Sequence, residues 1–347
     1  MEIKTHSCVV KGPKDVDIIE QTVNYDESDQ THTLVKMIRG GICGSDLHYY
    51  QHGKVGNFEV KHPMVLGHEM IAEVVKTNDP KLYVGQKVAI NPSKPCGHCK
   101  YCLSNESNQC ETMRFFGSAM YNPHIDGGYT QFKVVDNAQC ITYSQEAADD
   151  VMTFAEPLAV AIHAAKQSGD LIDKRVFISG VGPIGCLTVA AAKVLGAKEI
   201  VVADLSQRCL DIALQMGATK ALNAATDDFS EYSAHKGAFD VSFEASGHPS
   251  SLERCLTVTR ARGHIVQIGM GGNVPDFPIM TLIAKEINLV GSFRFTEEFN
   301  TSVEWLSSGK INPLPLLSAV VPYHNLEQAL IKAGDKTHVS KVQLSFA

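Results

Sequence analysis

The run Arg175-Val176-Phe177-Ile178-Ser179 leads directly into Gly180-Val181-Gly182-Pro183-Ile184-Gly185, and few folds are compatible with that junction. A short apolar run reads as a buried strand, and Cys186 to Leu195 reads as a helix that stops at Gly196. Each glycine of G-x-G-x-x-G then has a mechanical reading. Gly180 permits the tight turn, Gly182 lets a pyrophosphate approach the main chain, and Gly185 lets helix and strand pack closely. The helix start, around Pro183 and Ile184, offers free N–H groups and a positive dipole end to phosphate oxygens. The next strand, Glu199 to Asp204, ends on an acid about 20 residues further on, the position that accepts hydrogen bonds from an adenosine ribose. Asp204 suits NAD and repels the additional phosphate of NADP. Arg208 could instead pair with that phosphate, stack on adenine, or be a solvated helix cation. Phe239 to Glu244, His264 to Ile268 and Ile287 to Val290 continue the alternation of strand with helix. That rhythm implies a doubly wound parallel sheet covered on both faces, an α/β nucleotide-binding domain.

A chain of 347 residues exceeds one ordinary core, and the part before Val151 has a different texture. Thr33 to Met37, Met70 to Lys76, Lys87 to Asn91 and Thr130 to Val135 are short alternating runs broken by Gly and Pro, a β-rich organisation. Within it lie Cys96, Cys99, Cys102 and Cys110, spaced C-x2-C-x2-C-x7-C. Four thiolates from one short lobe suit a tetrahedral Zn²⁺, and a closed four-sulfur shell leaves no position for chemistry. Two disulfides or four core cysteines are the alternatives. His98 lies inside the loop as a spectator.

The net charge of −7 argues against a nucleic-acid partner. The start, Met1 to His6, carries no apolar signal core, and the apolar stretch Val151 to Ala165 is interrupted by Glu156 and His163. Ten cysteines without a secretory signal point to a reducing interior, so a cytoplasmic protein away from membranes is expected.

A second metal set lies earlier in the chain. Cys43 in Gly41-Ile42-Cys43-Gly44-Ser45-Asp46-Leu47-His48, His68 in Gly67-His68-Glu69, and Glu156 would give three protein ligands and an open fourth position, as in a catalytic zinc site. Read separately, Cys43 is equally a core thiol, His68 a buried histidine and Glu156 a helix-start acid.

These motifs, from about Val35 to Arg294, resemble the zinc-dependent medium-chain dehydrogenase/reductase family. Gly41 to Tyr49, Gly53 to Phe58 and Pro63 to Glu69 are similar to the sorbitol-type polyol dehydrogenases. The resemblance implies a β-rich GroES-like catalytic domain over residues 1–155 and 292–347, with a Rossmann domain over 156–291. It implies two zinc ions per chain, the catalytic one on Cys43, His68 and Glu156, and NAD as cofactor with NADP the alternative. Ser45 and His48 would carry the alcohol proton away while hydride passes to the nicotinamide. Asp46 and Glu69 would stand behind the ligands and tune them. Tyr49 and Arg294 would line the substrate site, and Met270, Gly271, Ser292 and Phe293 would border the cofactor. Phe295 replaces the tyrosine of the sorbitol-type pattern, and loss of that hydroxyl donor weakens the case for plain sorbitol; a sugar acid would need a cation. Lys94, Arg114 and Arg294 are the candidate cations for its carboxylate. The expected partner is thus a small polyol or aldonate, and the expected assembly a homodimer or homotetramer.

Overall fold

Six parallel strands stand in the order Lys220–Asn223, Glu199–Asp204, Arg175–Ser179, Phe239–Glu244, Thr259–Gln267 and Asn288–Gly291. The order reverses between Arg175–Ser179 and Phe239–Glu244, the switch point of a doubly wound sheet, where ligands bind beyond the carboxyl ends. The computed structural model describes residues 1–272 and 277–346. The expected strand over 264–268 starts earlier, at Thr259, and the strand over 287–290 runs one residue later. The helices Pro183–Val194, Gln207–Met216 and Pro249–Val258 follow the first, second and fourth strands along the chain. Gln207–Met216 shows why they stop and start where they do. Ser206 caps its first turn through its side chain, and Gly217 ends it at φ +119°, a conformation that favours glycine. The core beneath is apolar, with Phe177, Val201, Phe239, Leu256 and Ile265 all fully buried.

The other compact unit is β-rich. A seven-stranded sheet places His32–Gly41 beside Glu69–Lys76 on one side and Lys341–Ser345 on the other, both antiparallel to it. A three-stranded sheet of Asp15–Asn24, Glu2–Gly12 and Met64–Val65 shares the core of Val9, Val35, Met37, Leu66, Val74 and Leu344.

The units comprise Met1–Glu156, Phe299–Gly309 and Leu317–Ala347 on one hand, and Pro157–Glu298 with Lys310–Leu316 on the other. Glu156 therefore groups with the β-rich unit, and residues 292–298 with the parallel sheet. The cause is local bonding. The amide of Ser292 donates to Gln267 O at 2.9 Å, and buried Glu298 takes a hydrogen bond from His163 at 3.2 Å and an ion pair from Lys166 at 3.1 Å. Among the described residues no helix is long and apolar enough to cross a membrane.

Candidate metal centres and nucleotide site

Three strand ends meet at Cys43. The strand His32–Gly41 delivers it as the extended residue capping the helix Gly44–His52, and its amide donates to Asp46 Oδ2 at 2.9 Å. His68 immediately precedes the strand Glu69–Lys76, in which Glu69 pairs with Gly41. Lys341 begins the third strand, whose Gln343 pairs with Gly41 from the other side.

Two adjacent glycines make this packing fit. A methyl group on Gly41 would collide with Glu69 Oε2 and lie 3.1 Å from Lys341 Cε. A methyl group on Gly40 would lie 2.7 Å from the Tyr129 ring. Gly40 and Gly41 therefore clear space on opposite faces of one strand, one for an aromatic ring and one for an ion pair. Lys341 Nζ lies 2.6 Å from Glu69 Oε1, and both side chains are buried. Tyr129 Oη lies 2.6 Å from Gly41 O and 3.1 Å from Asp46 Oδ2, with one proton to share.

The ligand atoms of Cys43, His68 and Glu69 lie within 4.8 Å of one another. Glu156, implied by resemblance as the third ligand, is not one of these three. It is buried at 6% exposure and acts by its charge on His68 and Lys341. Asp46, Glu69 and Glu156 thus surround a thiol and an imidazole, with Lys341 the ammonium among them. Burial alone would lower the pKa of His68, but the charges of Cys43, Asp46 and Glu156 and the hydrogen bond to Cys43 outweigh it and raise it to about 10. Burial would likewise lower Lys341, and Glu69, Cys43 and Glu156 raise it instead. Asp46 is pushed up by burial, against the pull of His68. The site draws cations. Among the described residues the Nδ1 of His68 has no hydrogen-bond partner, and it lies 3.9 Å from Asp46 Oδ1. A borderline-soft divalent ion fits a thiolate, an imidazole and a carboxylate placed in this way.

Ser45 and His48 stand three residues apart on the helix Gly44–His52, hence on one face, with Ser45 half-buried and His48 exposed. Partial burial lowers the pKa of His48, and His52 and Lys336 add to the effect. Tyr49 is 3% exposed, and its hydroxyl accepts the Ala119 amide at 3.0 Å. Lys94 is paired with Asp136 at 2.8 Å, whereas Arg114, opposite it on the next strand, is exposed.

Cys96, Cys99, Cys102 and Cys110 also bring their sulfurs within 4.8 Å of one another. Main-chain amides point inward at them: Cys96 N lies 3.2 Å from Cys110 Sγ, and Cys99 N lies 3.4 Å from Cys96 Sγ. The amides of His98 and Cys99 lower the Cys96 thiol to about 6, while burial raises Cys102 to about 12. His98 itself is exposed and bonded to Cys96 O. The four sulfurs, with Met113 and Phe115, make a small core of their own. Phe115 also reaches the other centre, its ring 5.6 Å from that of His68.

In the parallel-sheet unit, Gly180 turns at φ +87°, and its amide donates to Ala203 O at 2.8 Å. A methyl group on Gly185 would collide with Gly180 O, whereas Gly182 faces open space at the cap of the helix that begins with Pro183 and Ile184. That is a cradle for phosphate oxygens. Asp204 Oδ2 accepts the Val181 amide at 2.8 Å and Oδ1 the Ser206 amide at 2.9 Å, so the carboxylate is locked to the glycine loop. Arg208 occupies the first turn of Gln207–Met216. Met270 and Phe293 are exposed, Gly271 packs against Gly247, and Ser292 Oγ is buried without a hydrogen-bond partner among the described residues. Arg294, at φ +56°, places its guanidinium 4.8 Å from the Phe293 ring.

Lys341, Tyr129 and Glu244 escaped the sequence reading. The pair Gly40-Gly41 inside a strand was the available signal, since glycine there marks a close approach.

Residues 29–145 match the model of the alcohol dehydrogenase GroES-like domain, and residues 183–308 that of the zinc-binding dehydrogenases. The chain is 62% identical over 346 residues to L-idonate 5-dehydrogenase (NAD(P)(+)) of Escherichia coli strain K12, covering 100% of both chains. It is 36% identical over 330 residues to the probable D-xylulose reductase A of Aspergillus fumigatus, covering 91% of both. The crystal structure of the Escherichia coli L-idonate 5-dehydrogenase superposes with a TM-score of 0.98 over 99% of each chain. The galactitol-1-phosphate dehydrogenase of Escherichia coli, 24% identical, shares the fold with a TM-score of 0.87. The chain belongs to the zinc-dependent medium-chain dehydrogenase/reductase family, with its GroES-like and zinc-binding dehydrogenase domains.

Proposed function

We propose that this protein is a zinc- and NAD(P)-dependent dehydrogenase that oxidises the C5 hydroxyl of L-idonate to give 5-dehydro-D-gluconate, reversibly. The observation that carries this reading is full-length identity of 62% to the L-idonate enzyme. Zinc, when bound, would supply Lewis acidity toward an alcohol oxygen, and an oxidised nicotinamide would supply the hydride acceptor.

The chain's own residues do the rest. Cys43, His68 and Glu69 hold the catalytic ion, and their 4.8 Å grouping supports Glu69 as the third ligand. Glu156 contributes charge, and Asp46 and Tyr129 orient the histidine and the strand end behind it. Partial burial lowers the pKa of His48, which favours the neutral imidazole, the form that takes the substrate proton by way of Ser45 and passes it to solvent. Gly180, Gly182 and Gly185 seat the pyrophosphate, and Asp204 receives the ribose. Cys96, Cys99, Cys102 and Cys110 hold the second zinc, which shapes the lobe.

Purified protein incubated with NAD or NADP and L-idonate should produce reduced cofactor. No turnover with any secondary alcohol would end this reading. The identity to a D-xylulose reductase favours a second one, a neutral-polyol dehydrogenase, and Arg114 separates the two. Arg114→Ala is expected to raise KM for L-idonate roughly tenfold or more, with little change for sorbitol or xylitol, since a carboxylate alone uses the guanidinium. Equal effects on acid and polyol would remove Arg114 from the substrate site.

We read the assembly as a homodimer. Among the described residues Asn288–Gly291 ends its sheet with one side unpaired, and the helix Ile279–Lys285 that precedes it exposes Ile279, Met280 and Ile283. A second copy satisfies both features at one two-fold contact. Leu289→Lys should yield a monomer by light scattering, and an unchanged mass would place the contact elsewhere.

A further inference from the structure

Glu244 ends the strand Phe239–Glu244 at the switch point of the sheet and is fully buried. Its Oε1 accepts the Ser246 amide at 2.9 Å, the Ser246 hydroxyl at 2.5 Å and the Gly247 amide at 3.0 Å. Its Oε2 accepts the same Gly247 amide at 3.0 Å and the Gln267 side-chain amide at 2.5 Å. Its main-chain carbonyl takes the amides of Ile268 and Gly269 at 2.8 and 2.9 Å. One residue therefore ties together the loops that leave two neighbouring strands.

Glycines nest those loops main chain against main chain. A methyl group on Gly269 would lie 2.6 Å from Glu244 Oε2, and one on Gly247 would lie 2.9 Å from Gly271 N. A methyl group on Gly180, in the phosphate loop, would lie 2.7 Å from Ser246 N. Three loops thus meet at the carboxyl ends of the sheet, and Glu244 is the polar group that joins two of them. Side chains cannot adjust there, so loops 244–247 and 267–271 take their positions from the carboxylate, while the phosphate loop is anchored by the Gly180 amide on Ala203 O.

The charge is the second feature. Every donor to Glu244 is neutral, and among the described residues no lysine, arginine or histidine forms an ion pair with it. An anion buried without a counter-cation keeps a field that water does not screen. In doubly wound sheets the first half binds the adenosine moiety, and the second half, which Glu244 begins, receives the nicotinamide. An oxidised nicotinamide ring is a cation and the reduced ring is neutral.

We propose that Glu244 is a positioning residue for the nicotinamide end of the cofactor, fixing loops 244–247 and 267–271, and that its unpaired charge favours the oxidised cofactor over the reduced one. The proposal rests on the dinucleotide reading given above, and the test separates the two. Dissociation constants for NAD+, NADH and ADP-ribose are measured by calorimetry on the zinc-loaded protein, wild type and variants. For Glu244→Gln, ADP-ribose binding should stay within about twofold, because the adenosine half is untouched. NADH should weaken, and NAD+ should weaken roughly fivefold more than NADH, since only the oxidised ring feels the lost charge.

Gln267→Leu removes a neutral partner and keeps the charge, so it should weaken NAD+ and NADH alike and leave their ratio at the wild-type value. It also serves if Glu244→Gln does not fold. A Glu244→Gln protein with an unaltered NAD+ to NADH ratio overturns the charge role. A Gln267→Leu protein with wild-type constants overturns the positioning role. Wild-type protein that binds none of the three ligands would instead sink the dehydrogenase reading, and this one with it.

Discussion

Cys43→Ser is expected to carry one zinc per chain in place of two and to lose at least about three orders of magnitude in kcat/KM. The hydroxyl of serine is a poor ligand for zinc beside an imidazole and a carboxylate, so the ion's binding collapses while the acids remain. Those acids are what make the loss severe. Asp46, Glu69 and Glu156 are buried around a centre with one lysine, and each is 6% exposed or less. Without the ion the charges of Asp46 and Glu156 raise the pKa of His68, which favours the imidazolium over the neutral form that binds a metal. Metal analysis together with kinetics checks this. Two zinc ions and full activity in the variant would remove Cys43 from the site. A protein that keeps both ions and loses activity would leave Cys43 a chemical role without a binding one.

Cys99→Ser should have a comparably large effect by a different route. The lobe around residues 96–115 has only the helix Lys100–Leu103, a turn of 3-10 helix and a two-residue strand as regular structure. Its core consists of the four sulfurs, Met113 and Phe115. So small a core orders little chain, and a zinc held by the four sulfurs would provide most of the folding energy, on the order of 10 kcal/mol in small zinc-folded units. Its loss should unfold the lobe, open it to protease and release one zinc per chain. Activity should fall as well, because Phe115 packs at 5.6 Å from the His68 ring and leaves with the lobe. The check is limited proteolysis with metal analysis. A lobe as resistant as wild type would show that packing alone holds it.

Much of both sites was legible because its causes are local. The strand Arg175–Ser179, the turn at Gly180 and the helix from Pro183 depend on neighbours in sequence, and the structure has all three. The four cysteines are equally local, and they lie together as their spacing implied. The other centre combines residues from distant segments, and there the reading was coarser. The resemblance names Cys43, His68 and Glu156, and the structure groups the ligand atoms of Cys43 and His68 with Glu69. Both acids are close to the histidine, and no spacing rule ranks them.

By itself the sequence determined what is local: thiols in metal-ligand spacing, a glycine turn between strand and helix, an acid at the end of the next strand, and the alternation that builds a parallel sheet. Those follow from bond geometry, dipoles and side-chain periodicity over a few residues. Tertiary structure alone decided that Lys341 meets Glu69 across 272 residues, that the space for them is the missing side chain of Gly41, and that Glu244 gathers two loops. Strand register sets those meetings, and register is the sum of many weak packing preferences along whole strands, which no single motif carries.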